Sequence, residues 1–259
     1  MIRNHYYLLK QLVKRDISLR YKGSYLGIIW SFITPLFMLC VYTFVFTVVF
    51  QAKWNIDTNN KLDFAFIIFS GITAFNLFAE SINRAPTLML SNISYVKKVV
   101  FPLEILPLST VVSALVNAGI SFIILITGLI FFGGGISWKI IFLPLVILPI
   151  MLLSLGISWI LASLGVFLRD LGQLVAILTT ALMYLSPIFY SIESVPVSLK
   201  PLLYLNPVSY SIENIRNILI FGKYPDFQML LVAFVINSII AFIGYVWFKK
   251  TKGGFADVL

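Results

Sequence analysis

The side chains able to do chemistry in this chain are few, and most fall into two small groups. Glu80 lies close to Asn76, Asn83 and Arg84, and Glu213 precedes Arg216 by three positions. On a helix that spacing brings two side chains onto one face, so Glu213 and Arg216 can pair. Two readings stay open for them: an ion pair that stabilises its segment, or part of a gate. A proton relay would need carboxylates at mid-membrane depth, and the central parts of the apolar runs carry none. The only histidine, His5, sits near the N-terminus, and the only cysteine, Cys40, lies inside an apolar run. A histidine triad, a thiolate metal cluster and an internal disulfide are therefore all excluded. Gly128 and Gly133 have the spacing of a phosphate-cradling loop, but Gly134 stands where that loop requires lysine.

The elements that position these groups follow from composition. The chain has 259 residues, of which 60% are hydrophobic and only 11% charged. A soluble domain of this size needs more polar surface than that, so the surplus apolar area must face lipid. The predicted fold class is all-α integral membrane. A span needs ~20 mostly apolar residues, and six stretches qualify, at about 29–51, 64–83, 105–132, 140–168, 171–190 and 227–248. The first is too long for the apolar core of a cleaved signal peptide, and Gln51-Ala52-Lys53-Trp54 is a poor cleavage context.

Before the first span, residues 5–20 place Leu8, Leu9, Leu12, Val13 and Ile17 at helical spacing, opposite Lys10, Lys14, Arg15 and Ser18. This pattern predicts an interfacial helix, with Gly23 and Gly27 at the bend into the membrane. Basic residues held at an interface stay on the cytoplasmic side. Arg84, Lys97, Lys98, Arg169, Lys249, Lys250 and Lys252 would join that side, whereas fewer bases fall in the outer segments. Both termini are therefore expected to be cytoplasmic, with the loop 52–63 outside. The net charge of +9 is concentrated beside apolar spans, which favours anionic lipid headgroups over nucleic acid as its partner.

Between residues 186 and 226 the pattern changes. Pro187, Pro196, Pro201 and Pro207 interrupt a segment that remains apolar. Proline removes a backbone donor and stops a helix, so short helices dipping into the outer leaflet are expected before the last span. Mid-span aromatics remain. Tyr42 and Phe46 lie one turn apart on the first span, and Tyr184 and Tyr190 flank the break in the fifth. They can serve as packing or as an interfacial belt; in a wide channel their rings would meet sugar C–H groups and their hydroxyls sugar oxygens.

Three stretches, in order, resemble the permease subunit of type 2 ABC transporters, in the polysaccharide-export branch typified by O-antigen permeases. They are RDISLRYKGSYLGIIWSFITPL from Arg15, SNISYVKKVVFPLEILPL from Ser91 and LNPVSYSIENIRNILIFG from Leu205. The resemblance implies a gate helix within residues 1–28, a cytoplasmic coupling segment over 84–104 and a re-entrant outer region over 187–226. It also implies a homodimer in the bacterial inner membrane, driven by two copies of a separate ATPase that would hold the ATP and Mg. The permease itself would be no enzyme and would carry no cofactor. The implied cargo is a lipid-linked polysaccharide, O-antigen foremost, with teichoic-acid and capsule polymers as alternatives and drug efflux behind them.

On that resemblance Asn92, Tyr95, Lys97, Lys98 and Phe101 would meet the ATPase. Tyr42, Phe46, Tyr184 and Tyr190 would line the channel, and Glu213 and Arg216 would lie at the exit. Arg15, Arg20, Lys22 and Trp30 would stand where a lipid diphosphate arrives, either clamping its oxygens or only anchoring the helix to anionic lipid. A glycolipid-assembling transferase is a different class of reading, but it would need an acid or metal cluster that this sequence lacks.

Overall fold

The computed structural model describes residues 2–20, 22–49, 62–97, 101–133 and 135–259, and among them there is helix but no strand. That is the expected outcome for a backbone surrounded by apolar side chains. Without water, each N–H and C=O must be satisfied inside its own segment. The main helices are α1 (Ile2–Arg20), α2 (Trp30–Tyr42), α3 (Leu62–Arg84), α4 (Ile93–Val96), α5 (Ile105–Phe132), α6 (Leu143–Phe167), α7 (Leu171–Tyr184), α8 (Lys200–Leu205), α9 (Pro207–Leu219), α10 (Phe227–Thr251) and α11 (Phe255–Val258).

Among the described residues, four helical stretches are long and apolar enough to cross a membrane: Leu62–Thr87, Ile105–Phe132, Trp138–Phe167 and Phe227–Val258. They correspond to the second, third, fourth and sixth predicted spans. The other two are shorter apolar helices, Trp30–Phe46 and Leu171–Tyr184. In the first, α2 passes without a break into a π-helical stretch, Thr43–Val49, where the Thr43 hydroxyl donates to the Leu39 carbonyl at 2.7 Å. Residues 50 and 51 lie outside the described residues. In the second, α7 has 14 residues and stops before Pro187, so the expected continuation to 190 is replaced by a turn. Pro187 supplies no donor for another helical hydrogen bond.

α3 is the central post. It is buried along most of its length, and it packs on α5, α6, α7 and α9. Phe66, Phe69, Phe75 and Phe78 of α3 join Phe122, Leu125, Ile150, Ile212 and Ile215 in the larger hydrophobic core. α6 and α10 pack along one another with close backbone approach. A Cβ on Gly244 would lie 2.2 Å from the Gly156 carbonyl oxygen, and one on Gly156 would lie 2.7 Å from Ala241 backbone. Small residues at such a crossing let backbones touch, which is how helices gain packing energy where lipid offers no hydrophobic drive.

A second core lies at the basic end of the bundle. It joins Leu12 of α1 to Leu88, Met89, Val96, Leu103, Leu106, Val166, Phe248 and Phe255, with Leu8, Leu9, Tyr95 and Phe101 against its edge. The expected apolar stripe of α1 thus finds its partner in protein at Leu8, Leu9 and Leu12. The expected bend is present: Gly23 has φ 85° and Gly27 φ 53°, a left-handed conformation that side chains with a Cβ rarely adopt. A Cβ on either would meet nothing within 4 Å, so these glycines serve the turn rather than a helix contact.

Candidate functional site

The basic end of the bundle holds a cavity of about 760 Å³ whose walls are α1, the end of α3, the segment after it and the start of α5. Five charged side chains line it: Arg15, Asp16, Arg20, Glu80 and Arg84. Arg84 makes a two-pronged pair with Asp16, one arm at 2.7 Å, and its guanidinium is 3.8 Å from Glu80. Arg20 pairs with the same Glu80, which also accepts from the Asn117 amide at 3.0 and 3.1 Å. Burial by itself would raise the Asp16 carboxyl. The Arg84 hydrogen bonds and charge, helped by Ser113 and Arg20, outweigh it and hold Asp16 below the usual carboxylate range. The helix that precedes the membrane is therefore latched to α3 by charge at two successive turns.

The same helix is tied to the segment between α3 and α5. Arg15 donates to the Tyr95 hydroxyl at 2.8 Å and to the Asn92 side-chain oxygen at 2.9 Å. Its guanidinium stands 5.2 Å from the centre of the Tyr95 ring, and Tyr95 stacks on Phe101 at 4.4 Å. Asn92 in turn donates to the Leu88 carbonyl at 2.9 Å. Two groups that the sequence suggests for separate duties, Arg15 for the gate helix and Asn92, Tyr95 and Phe101 for the coupling segment, thus form one cluster. Lys97 and Ile93 face outward beside them, while Lys98 lies outside the described residues. Lys22 is exposed just past α1, and Trp30 is 40% exposed at the start of α2.

The last helix closes this end. Lys252 reaches Glu104 at 3.2 Å, and the Trp159 indole donates to the Glu104 carbonyl at 3.1 Å. These contacts fix the stretch before α5 at Glu104 against α6 and the residues after α10.

At the opposite end the aromatic residues expected in a channel come near one another. Phe46 stacks on Phe189 with ring centres 6.0 Å apart and touches Phe64 at 5.7 Å. Tyr184 lies 6.0 Å from Phe189 and is 62% exposed, and the Tyr190 hydroxyl donates to the Tyr184 carbonyl at 3.2 Å. Tyr42, one turn before Phe46, packs partly buried on the larger core. Phe189 links the row, and nothing in its sequence position marks it out from the other phenylalanines.

Glu213 and Arg216 do pair, at 3.1 Å, but Arg216 is wholly buried. Its guanidinium also donates to the carbonyls of Ile67 at 3.2 Å, Ile188 at 2.7 Å and Pro187. A Cβ on Gly71 would fall 2.7 Å from the Arg216 guanidinium, so this glycine makes room for it on α3. Asn206 caps α9 by accepting from Val208 at 3.0 Å and donates to Ser186 at 2.8 Å. This geometry gives Arg216 a structural role: it pins the broken end after α7 to α3 through α9.

The profile of the ABC-2 type transporter family matches residues 7–220. Two curated relatives align over almost the whole chain. One is the O-antigen export system permease protein RfbA of Myxococcus xanthus, 27% identical over 258 residues, covering 96% of this chain and 94% of the relative. The other is the protein of the same name from Klebsiella pneumoniae, 25% identical over 254 residues, covering 97% of this chain and 95% of the relative.

Proposed function

This chain belongs to the ABC-2 type transporter family, and from that premise we propose that it is the permease subunit of an ATP-driven exporter of lipid-linked O-antigen polysaccharide. The names of both relatives support the cargo. Two copies of this chain would form the conduit, and two copies of a separate ATPase would supply the energy. The permease would span the inner membrane six times with both termini in the cytoplasm. In that count α2 with its π-helical extension makes the first crossing, and α7 with the turn after it makes the fifth. The charge distribution supports the orientation. A cysteine at Asn55, introduced with Cys40 replaced, is expected to react with an impermeant reagent in intact spheroplasts; reaction only after permeabilisation would overturn it.

The observation that carries the mechanism is the union of the gate helix with the coupling segment. An ATPase docked on Ile93 and Lys97 would push a surface whose inner side is Asn92 and Tyr95. Those two residues grip Arg15 of α1, and both segments share one apolar core. Packed cores respond to a push as rigid pieces rather than by gradual deformation, so α1 would move with the coupling segment. Its movement would strain the Arg84–Asp16 and Arg20–Glu80 pairs and admit the lipid-anchored end of the polymer. The aromatic row that ends on the exposed Tyr184 would give the sliding sugars weak contacts without a fixed charge to trap them.

Two variants separate the parts. Lys97→Glu is expected to reduce retention of the ATPase on purification. Arg15→Leu is expected to keep the ATPase and its hydrolysis while surface polymer falls roughly tenfold or more, since a charge-assisted bond of ~1.5–3 kcal/mol is lost. Normal export in Arg15→Leu, at equal membrane abundance, would sink this coupling route.

A further inference from the structure

α3 carries a polar stripe of which the transport reading uses only Glu80. Thr73, Asn76, Glu80 and Asn83 recur at spacings of three and four, which places them on one face of the helix. Asn117 and Ser121, four apart on α5, face them across a crevice of about 350 Å³. The crevice shares Glu80 with the larger cavity at the basic end. Eight residues separate Asn76 from Arg84, a depth of about 12 Å along the helix. Polar side chains at such depth in a membrane helix are costly unless they find partners. Yet Asn76 and Asn83 are exposed to the crevice, and neither side chain has a hydrogen-bond partner among the described residues.

The chemistry of these walls selects a ligand. Glu80 is held by Arg20, Arg84 and Asn117, so its charge is already balanced. The remaining groups are amides and hydroxyls, which donate and accept together. That combination suits a neutral, hydroxyl-rich ring. A phosphate would go instead to the neighbouring cavity, where Arg15 has a buried Nε without a partner. The volume lies at the lower end of the ~300–1,000 Å³ of small-molecule sites, which fits a small saccharide.

We propose that the crevice between α3 and α5 is a saccharide-binding site that grips the sugar nearest the lipid anchor, through the amides of Asn76 and Asn83. This rests on the exporter reading above, and it adds where the sugar is sensed before transport. The crevice gives a reason for an exposed amide pair on an apolar helix that packing does not use.

The test uses the permease–ATPase complex in nanodiscs and two probes: polyprenyl diphosphate carrying a disaccharide of neutral hexoses, and the same lipid without sugar. Wild type is expected to bind the sugar-bearing lipid roughly tenfold more tightly, the gain from a few net hydrogen bonds. Asn76→Leu with Asn83→Leu is expected to abolish that preference and leave the affinity for the sugar-free lipid unchanged. Asn76→Ser with Asn83→Ser, which keeps polarity but shortens reach, is expected to give an intermediate preference and guards against misfolding. Equal binding of both probes by wild type would mean that the crevice holds only water, and the proposal fails. It fails equally if the leucine variant keeps the preference, or loses both affinities together. The exporter reading is judged in a separate arm, by surface polymer in a strain deleted for its own permease. Absence of polymer there, with the binding preference intact, would remove that reading alone.

Discussion

Arg216→Met is expected to remove most of the correctly folded protein from the membrane. The arginine is fully buried and holds Glu213 and three backbone carbonyls, from Ile67, Pro187 and Ile188. Methionine fills much of its volume but donates nothing. Glu213 would lose its counter-charge, and the carbonyls freed by the proline break would lose their donors. Breaking a buried pair in this way costs roughly 3–5 kcal/mol. Arg216→Lys should recover only part of this, because an ammonium cannot fan out to three carbonyls on two segments as a guanidinium does. Glu213→Gln should be milder, since Glu213 is 30% exposed and the carbonyl bonds survive. Thermal unfolding in detergent, read with surface polymer, ranks the three variants. A wild-type melting temperature for Arg216→Met would show that α9 is held by packing alone.

Gly244→Val is expected to separate α6 from α10. Its first added carbon would lie 2.2 Å from the backbone oxygen of Gly156, and a helix backbone cannot yield as a side chain can. The whole crossing must open, which also removes the bond from Asn237 to the Pro149 carbonyl at 3.0 Å and the Ser163–Thr251 contact at 2.7 Å. A strained or opened core typically costs ~1–3 kcal/mol or more, and the loss of one buried and one partly buried polar contact adds to it. Gly119→Ala is the control, because a Cβ there meets nothing within 4 Å. Yield of monodisperse protein should fall sharply for Gly244→Val and stay level for Gly119→Ala. Equal yields would contradict the close approach of these two helices.

A helical fold with long apolar helices, preceded by a basic amphipathic helix, was legible from residues alone and is what the described residues form. Lipid exposure demands apolar runs of a set length, and the interface demands an amphipathic stripe, so both leave local patterns in the sequence. The bend at Gly23 and Gly27 was legible for a similar reason, because left-handed backbone favours glycine wherever it occurs. The pairing of Glu213 with Arg216 followed from helical spacing. Membership of the family was legible too, through three ordered stretches of sequence.

Tertiary structure decided what those charges touch. Asp16 and Arg84, separated by 68 positions, meet only because α1 folds back onto α3. No local pattern announces that contact. Arg15 lies 80 positions from Tyr95, and the sequence suggested different duties for the two, whereas the fold makes them neighbours. The carbonyls that Arg216 satisfies could not be named in advance, since they come from the backbone and carry no residue signature. The length of α7 was overestimated because hydropathy registers the transfer of side chains into lipid, not the missing donor at Pro187. Periodicity and composition are properties of one segment at a time, and they specify which surface is buried. Which two surfaces share a core, and which distant charges then neutralise one another, is decided only when the helices pack.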